Sequence, residues 1–142
     1  MRRWLVALII VMGGAAGAAA GGPERVPAIA HPATAKECGE CHMAFQPALL
    51  PAGSWLRIMD GLADHFGEDA SLPADLTASI RAYLAANAGR SGDPKITRIT
   101  EQSWFAKEHR FRASVWQRPE IKTKSNCLAC HPRAEQGNYD DD

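Results

Sequence analysis

Cys38-Gly39-Glu40-Cys41-His42 and Cys127-Leu128-Ala129-Cys130-His131 are two copies of one pattern, Cys-x-x-Cys-His, and together they use every cysteine in the chain. The pattern is that of covalent c-type haem attachment. The two thiols lie within one helical turn of each other, so both can bond the vinyl edge of one porphyrin. The adjoining histidine then sits beneath the iron as an axial ligand. Two copies with no cysteine left over imply two covalently bound haem c groups, attached through Cys38, Cys41, Cys127 and Cys130. His42 and His131 each fill one axial position. The fold class follows: mostly α, with two small haem-binding halves, each packed round one covalently attached haem.

The sixth ligand of each iron decides what such a protein does. A protein donor there makes an electron carrier, whereas an open position permits gas binding or catalysis. Three histidines remain: His31, His65 and His109. His65 follows His42 by 23 residues, across a proline-bounded turn. It lies at the edge of an apolar stripe formed by Trp55, Ile58, Met59, Leu62 and Phe66 at helical spacing. His109 precedes His131 by 22 residues and stands among Trp104, Phe105, Phe111 and Trp116, an aromatic setting that suits a haem face. These positions make His65 and His109 the candidate distal ligands, with His31 the rival of His65. Spacing leaves open whether each serves the near haem or the other one. Met59 belongs to the apolar stripe and reads as core. Met43 adjoins His42 and cannot readily reach the opposite face of the same haem. With no thioether on either iron, both potentials would be low.

Around the motifs, the chain reads as helices broken by prolines. Residues 21–32 hold Pro23, Pro27 and Pro32 and read as an extended lead-in with an exposed His31. A helix is expected from Ala33 into the first motif, then a buried turn at Ala48-Leu49-Leu50. A second helix is expected from a Ser54 cap to a Gly67 stop, carrying His65 on its face. A third runs from about Leu72 to Ala88, capped by Ser71, with Leu76, Ile80, Tyr83 and Leu84 on one face. Residues 90–94 form a linker, which places one haem-binding domain at 21–92 and another at 93–142. In the second, Ile96 to Thr100 alternates like a short strand, and a helix from Ser103 to Arg112 puts Phe105 and His109 on one face. Residues 135–142 read as a loose tail.

The first 20 residues have a different purpose. Arg2-Arg3, an apolar run from Trp4 to Met12 too short to span a bilayer, and small residues ending in Ala18-Ala19-Ala20 form a secretory signal peptide. This implies export to the periplasm and no stable membrane anchor after cleavage. The mature chain of 122 residues then carries 14 basic and 16 acidic side chains. Their distribution is uneven: residues 33–93 hold four basic and eight acidic, residues 94–139 nine basic and four acidic. On an exported haem protein this polarity suggests a charge-steered encounter with other redox proteins rather than nucleic acid binding.

Glu37-Cys38-Gly39-Glu40-Cys41-His42, Pro47-Ala48-Leu49-Leu50-Pro51 and Asp64-His65-Phe66-Gly67-Glu68 resemble the small bacterial dihaem cytochrome c family. So do Arg98-Ile99-Thr100, Trp104-Phe105, Glu108-His109-Arg110 and the second motif continued through Pro132 and Ala134-Glu135-Gln136-Gly137. The resemblance implies a soluble periplasmic electron carrier, not an enzyme, with two low-potential bis-histidine haems. It favours His65 and His109 over His31. It also implies two partner classes, a small oxygen-binding c-type cytochrome and a membrane cytochrome b.

Two other readings compete. A gas-binding or peroxidase-like haem protein needs one open iron, whereas the histidine count can close both. A Cys₄ zinc site needs the two cysteine pairs to converge, and leaves the histidine that follows each pair unexplained.

Overall fold

A computed structural model describes residues 24–140. The expected signal peptide lies outside them. Among the described residues there are helices and turns but no strand, only isolated bridges, in keeping with the mostly α expectation.

Helix α1 (Pro32–Gly39) carries the first cysteine of the first motif. Its start is set by Pro32 at the first helical position, where a missing N–H costs nothing, and by His31 as N-cap. His31 Nδ1 accepts from the Thr34 N–H at 3.3 Å, and Nε2 lies 3.2 Å from Ser79 Oγ. Its ring also stacks on Tyr83 with centres 4.9 Å apart. His31 is therefore a half-buried structural residue with both nitrogens engaged, not the exposed side chain expected from its proline-rich setting.

The turn expected at Ala48-Leu49-Leu50 is a 3₁₀ turn over Pro47–Leu49, and Leu49 and Leu50 are buried beside it. Helix α2 (Ala52–Asp60) follows, and α3 (Ala74–Ala86) packs against it. Their apolar faces close over a core of Leu50, Trp55, Met59, Ile80 and Leu84. Each such side chain contributes roughly 1.5–3 kcal/mol when fully removed from water. The Trp55 Nε1–H donates to the Pro47 carbonyl at 2.7 Å, which satisfies the one polar atom its burial would strand.

The boundaries differ from the sequence expectation in ways that matter for the site. Helix α2 starts at a Pro51 cap rather than Ser54, and stops at Gly61, a turn before His65. Ser54 is instead buried within it, donating to the Ile96 carbonyl at 2.6 Å. Ser71 does not cap α3; Pro73 holds that position. Residues 96–100 form no strand. Gln102, fully buried, gathers that segment by accepting from the Asp93 N–H at 2.8 Å and donating to the Asp93 and Ile96 carbonyls.

Beyond it, α4 (Ser103–Glu108) is shorter than expected and ends with His109 at its C-cap. Helix α5 (Ala113–Trp116) is a single turn, and the second motif enters a 3₁₀ turn over Cys127–Ala129. As far as Asp140, where the described residues end, the tail is not loose. Val26 N–H donates to the Gly137 carbonyl at 2.8 Å and Tyr139 N–H to the Glu24 carbonyl at 2.7 Å, clamping the lead-in to residues 137–139. Gln46, fully buried, donates to the Ala134 carbonyl at 2.8 Å and accepts from the Tyr139 hydroxyl. The segment after the second motif is thus bolted onto the chain just after the first.

Candidate functional site

Each motif histidine faces one of the candidate distal histidines. His42 and His65 have ring centres 6.2 Å apart with planes inclined by 20°. His109 and His131 have ring centres 6.2 Å apart with planes inclined by 82°. A metal–nitrogen bond of about 2 Å on each side, plus roughly 1 Å from each nitrogen to its ring centre, gives ring centres about 6 Å apart. The spacing of both pairs fits one iron held between two imidazoles. Each pair joins residues on the same side of the 90–94 segment.

The hydrogen bonds suit that role. His42 Nδ1 lies 2.7 Å from the Met43 carbonyl, and His109 Nδ1 lies 3.1 Å from the Phe105 carbonyl. A carbonyl oxygen only accepts, so Nδ1 carries the hydrogen and Nε2 keeps its lone pair for a metal. Metal-bound histidines are oriented by such a bond behind the ring.

His65 is delivered by a tight turn rather than a helix face. Its N–H donates to the Glu68 carbonyl at 2.7 Å, and Phe66 and Gly67 at the centre of the turn have φ of 56° and 103°. Gly67 N–H donates to Asp64 Oδ1 at 3.1 Å. A positive φ on a phenylalanine is unusual, and the Arg98 guanidinium sits over its ring, 4.2 Å from the centre. Burial, then the positive charge on His42 and Arg98, lowers the His65 pKa. Its neutral form, the one that can bind a metal, is thereby favoured.

His109 sits in the expected aromatic nest. Its ring stacks on Phe105 at 3.9 Å and 10°, with Phe111 at 5.9 Å and Trp116 at 6.2 Å. It enters this nest from the helix end, where its N–H still donates to the Phe105 carbonyl at 2.9 Å.

No disulfide joins any two of the four cysteines. Burial raises the Cys38 pKa, helped by Glu37, and pushes Cys127 up to about 11. Cys41 and Cys130 are exposed. Beside the first motif runs an open cleft of about 500 Å³, lined by Ala28, Ile29, Glu40, Cys41, His42 and Glu135 among others. That volume is in the range of ligand-sized sites. Among the described residues no three His, Cys, Asp or Glu side chains converge to hold a metal ion, so the Cys₄ zinc arrangement is not assembled.

Two contacts escaped the sequence reading. Phe45 stacks on His42 with centres 5.2 Å apart, and Tyr139 meets His131 edge-on at 5.6 Å. Phe45 stands three residues after His42, a spacing that could have flagged it. Tyr139 stands in the acidic tail with no pattern around it.

A family model described as dihaem cytochrome c matches residues 34–139. The chain is similar to the DHC crystal structure from Rhodobacter sphaeroides at 42% identity, covering 78% of this chain and 98% of that one, with a TM-score of 0.72. It is similar to a second structure, a dihaem cytochrome c from the same organism, at 38% identity over 80% and 99% of the two chains, with a TM-score of 0.71. A dihaem cytochrome c from Shewanella baltica is 39% identical over 77% of this chain and 86% of that one, with a TM-score of 0.69. No curated protein matches the chain.

Proposed function

From the premise that this chain belongs to the dihaem cytochrome c family and carries two c-type haems, we propose that it is a periplasmic electron carrier in which both irons are closed by two histidines at low potential. His42 and His65 would hold one iron, His131 and His109 the other. Cys38 and Cys41, and Cys127 and Cys130, would carry the thioether links. The observation behind this reading is the 6.2 Å spacing of both histidine pairs.

When bound, each haem supplies a one-electron change at its iron, and the chain's residues determine how it is used. Two imidazoles on each iron leave no position for oxygen or peroxide, and the absence of a thioether ligand keeps the potential low. The carbonyls of Met43 and Phe105 orient two of the four imidazoles through their Nδ1–H groups and make them better donors. His31 stays out of this set because Thr34 and Ser79 engage its nitrogens. The periplasmic location rests on the signal sequence of residues 1–20. No helix of the described residues is long and apolar enough to cross a membrane. The partner classes we propose are an oxygen-binding c-type cytochrome and a membrane cytochrome b, with haem-binding domains bounded at 21–92 and 93–142.

The test is the optical spectrum of the fully reduced holoprotein before and after carbon monoxide. An unchanged spectrum is the expected result. A shift in about half of the haem absorbance would expose an open iron, and the gas-binding or peroxidase-like reading would replace this one.

A further inference from the structure

The two stretches of chain that carry the histidine pairs have opposite net charge. Residues 33–69, which include His42 and His65, hold two basic and six acidic side chains. Residues 103–133, which include His109 and His131, hold seven basic and two acidic. The basic set is arranged about the second pair. Lys107, Arg110 and Arg112 flank His109 in sequence, and Arg133 follows His131 by two. Lys124 lies 5.4 Å over the ring of Trp116, which is itself 6.2 Å from the His109 ring. All of these cations are exposed.

Ion pairing thins out toward the second histidine pair. In residues 33–93 Lys36 pairs with Glu37 and Glu40, and Arg81 with Asp60, while Arg57 and Arg90 form no ion pair among the described residues; further on, Arg98 pairs with Glu101. Arg110, Arg112, Arg118, Lys122 and Lys124 form no ion pair among the described residues. The chain as a whole has 16 basic and 16 acidic residues, so a positive field here is a local property and not a consequence of net charge.

We infer that the surface around His109 and His131 is the docking face for a redox protein with an acidic surface, and that electrons cross to that partner from this end of the molecule. A cluster of like charges focuses a field that attracts the opposite sign and sets encounter orientation. The segment that carries His42 and His65 holds six acidic side chains, and even with Arg98 beside His65 it offers the same partner less attraction. The two ends are thereby sorted by charge. This rests on the electron-carrier reading above.

The probe is hexacyanoferrate(III), a small trivalent anion, mixed by stopped flow with anaerobically reduced holoprotein. One electron leaves a ferrous iron for each hexacyanoferrate(III), giving ferric iron and hexacyanoferrate(II), and no bond is made or broken. The expected second-order rate falls at least about threefold as ionic strength rises from 0.01 M to 1 M, over which the Debye length shrinks from about 30 Å to about 3 Å. Lys124→Glu should lower the low-salt rate severalfold, while Arg90→Glu, the same charge change in the first half, should leave it within experimental scatter. The cationic oxidant tris(phenanthroline)cobalt(III) should show no loss with Lys124→Glu.

A salt-independent rate with hexacyanoferrate(III), or equal losses from both charge reversals, overturns the proposal. So does salt-reversible sedimentation with phosphatidylglycerol vesicles in a protein whose electron transfer ignores salt, which would assign the face to a membrane surface. Failure of the underlying reading looks different: carbon monoxide would then bind an iron of the unmodified protein.

Discussion

The imidazole rings of His109 and His131 stand nearly perpendicular, at 82°, whereas those of His42 and His65 lie within 20° of parallel at the same 6.2 Å spacing. An imidazole bound to haem iron donates π density to the iron d orbital normal to its own plane. Parallel planes act on one orbital and split the pair widely. Perpendicular planes act on both and leave them nearly degenerate. Electron paramagnetic resonance of the oxidised holoprotein should therefore show two unlike low-spin signals in equal amount, one rhombic and one strongly axial with a single large g value. Two superimposed rhombic signals would mean that the second pair has turned.

Replacing His65 or His109, the proposed distal ligands, should open one iron at a time. His65→Ala and His109→Ala are each expected to render about half of the haem absorbance reactive to carbon monoxide, and together all of it. The parallel signal should vanish in the first variant and the perpendicular one in the second. His31→Ala should leave both irons closed and cost about 1 kcal/mol through loss of the α1 cap. Carbon monoxide binding in His31→Ala, with His65→Ala silent, would reverse the assignment.

The bolt between Gln46 and Tyr139 should be measurable in stability. Gln46→Leu strands the Tyr139 hydroxyl and leaves the Ala134 carbonyl with the Gly137 N–H alone, so urea unfolding of the holoprotein should show a loss of about 1–3 kcal/mol. Tyr139→Phe strands only Gln46 Oε1 and should cost about 1–2 kcal/mol. Burial holds the Tyr139 hydroxyl far above its ordinary pKa, so it should stay protonated across the usable alkaline range. Losses below about 0.5 kcal/mol, the scale of an ordinary surface substitution, would show that these groups reach water.

Two glycines separate conformational cost from collision. At Gly67 the φ of 103° disfavours a side chain, yet a Cβ there meets nothing within 4 Å. Gly67→Ala should cost about 1–2 kcal/mol, the left-handed penalty alone. At Gly137 the φ is 78° and a Cβ would lie 2.1 Å from the Val26 carbonyl oxygen. Gly137→Ala must also force the clamp apart, so it should cost more than Gly67→Ala and release the Val26 amide to hydrogen exchange. Equal costs would mean that the clamp has room to give.

Periodicity carried the sequence reading furthest where burial is apolar. The spacing of Trp55, Met59, Ile80 and Leu84 located the α2–α3 core because each of these side chains is buried on one helix face. The same logic overran the end of α2. Leu62 and Phe66 continue the apolar rhythm past Gly61, yet the backbone turns there, and His65 is positioned by a turn whose positive φ falls on Phe66. No residue preference announces a phenylalanine in that conformation. The docking of residues 134–139 was hidden for another reason. It is made by a buried amide, a phenol and backbone carbonyls rather than by an apolar stripe, so no period marks it. For the candidate site, His65 and His109 could be singled out from spacing and surroundings, but the facing geometry of the pairs is a property of turns. His31 was misplaced because a histidine N-cap is uncommon beside Ser, Thr, Asp and Asn.

The clamp of residues 24–26 onto 137–139 also bears on the order of events as the chain is made. Residue 26 must wait for residue 137, 111 positions later, before its amide finds a partner. A chain that emerges from its N-terminal side therefore cannot lock the lead-in until residue 137 is out. Throughout that interval Cys38 and Cys41 belong to an unclosed structure, within reach of whatever joins porphyrin to thiol. Residues 137–139 then act as a latch that shuts after both Cys-x-x-Cys-His motifs have passed.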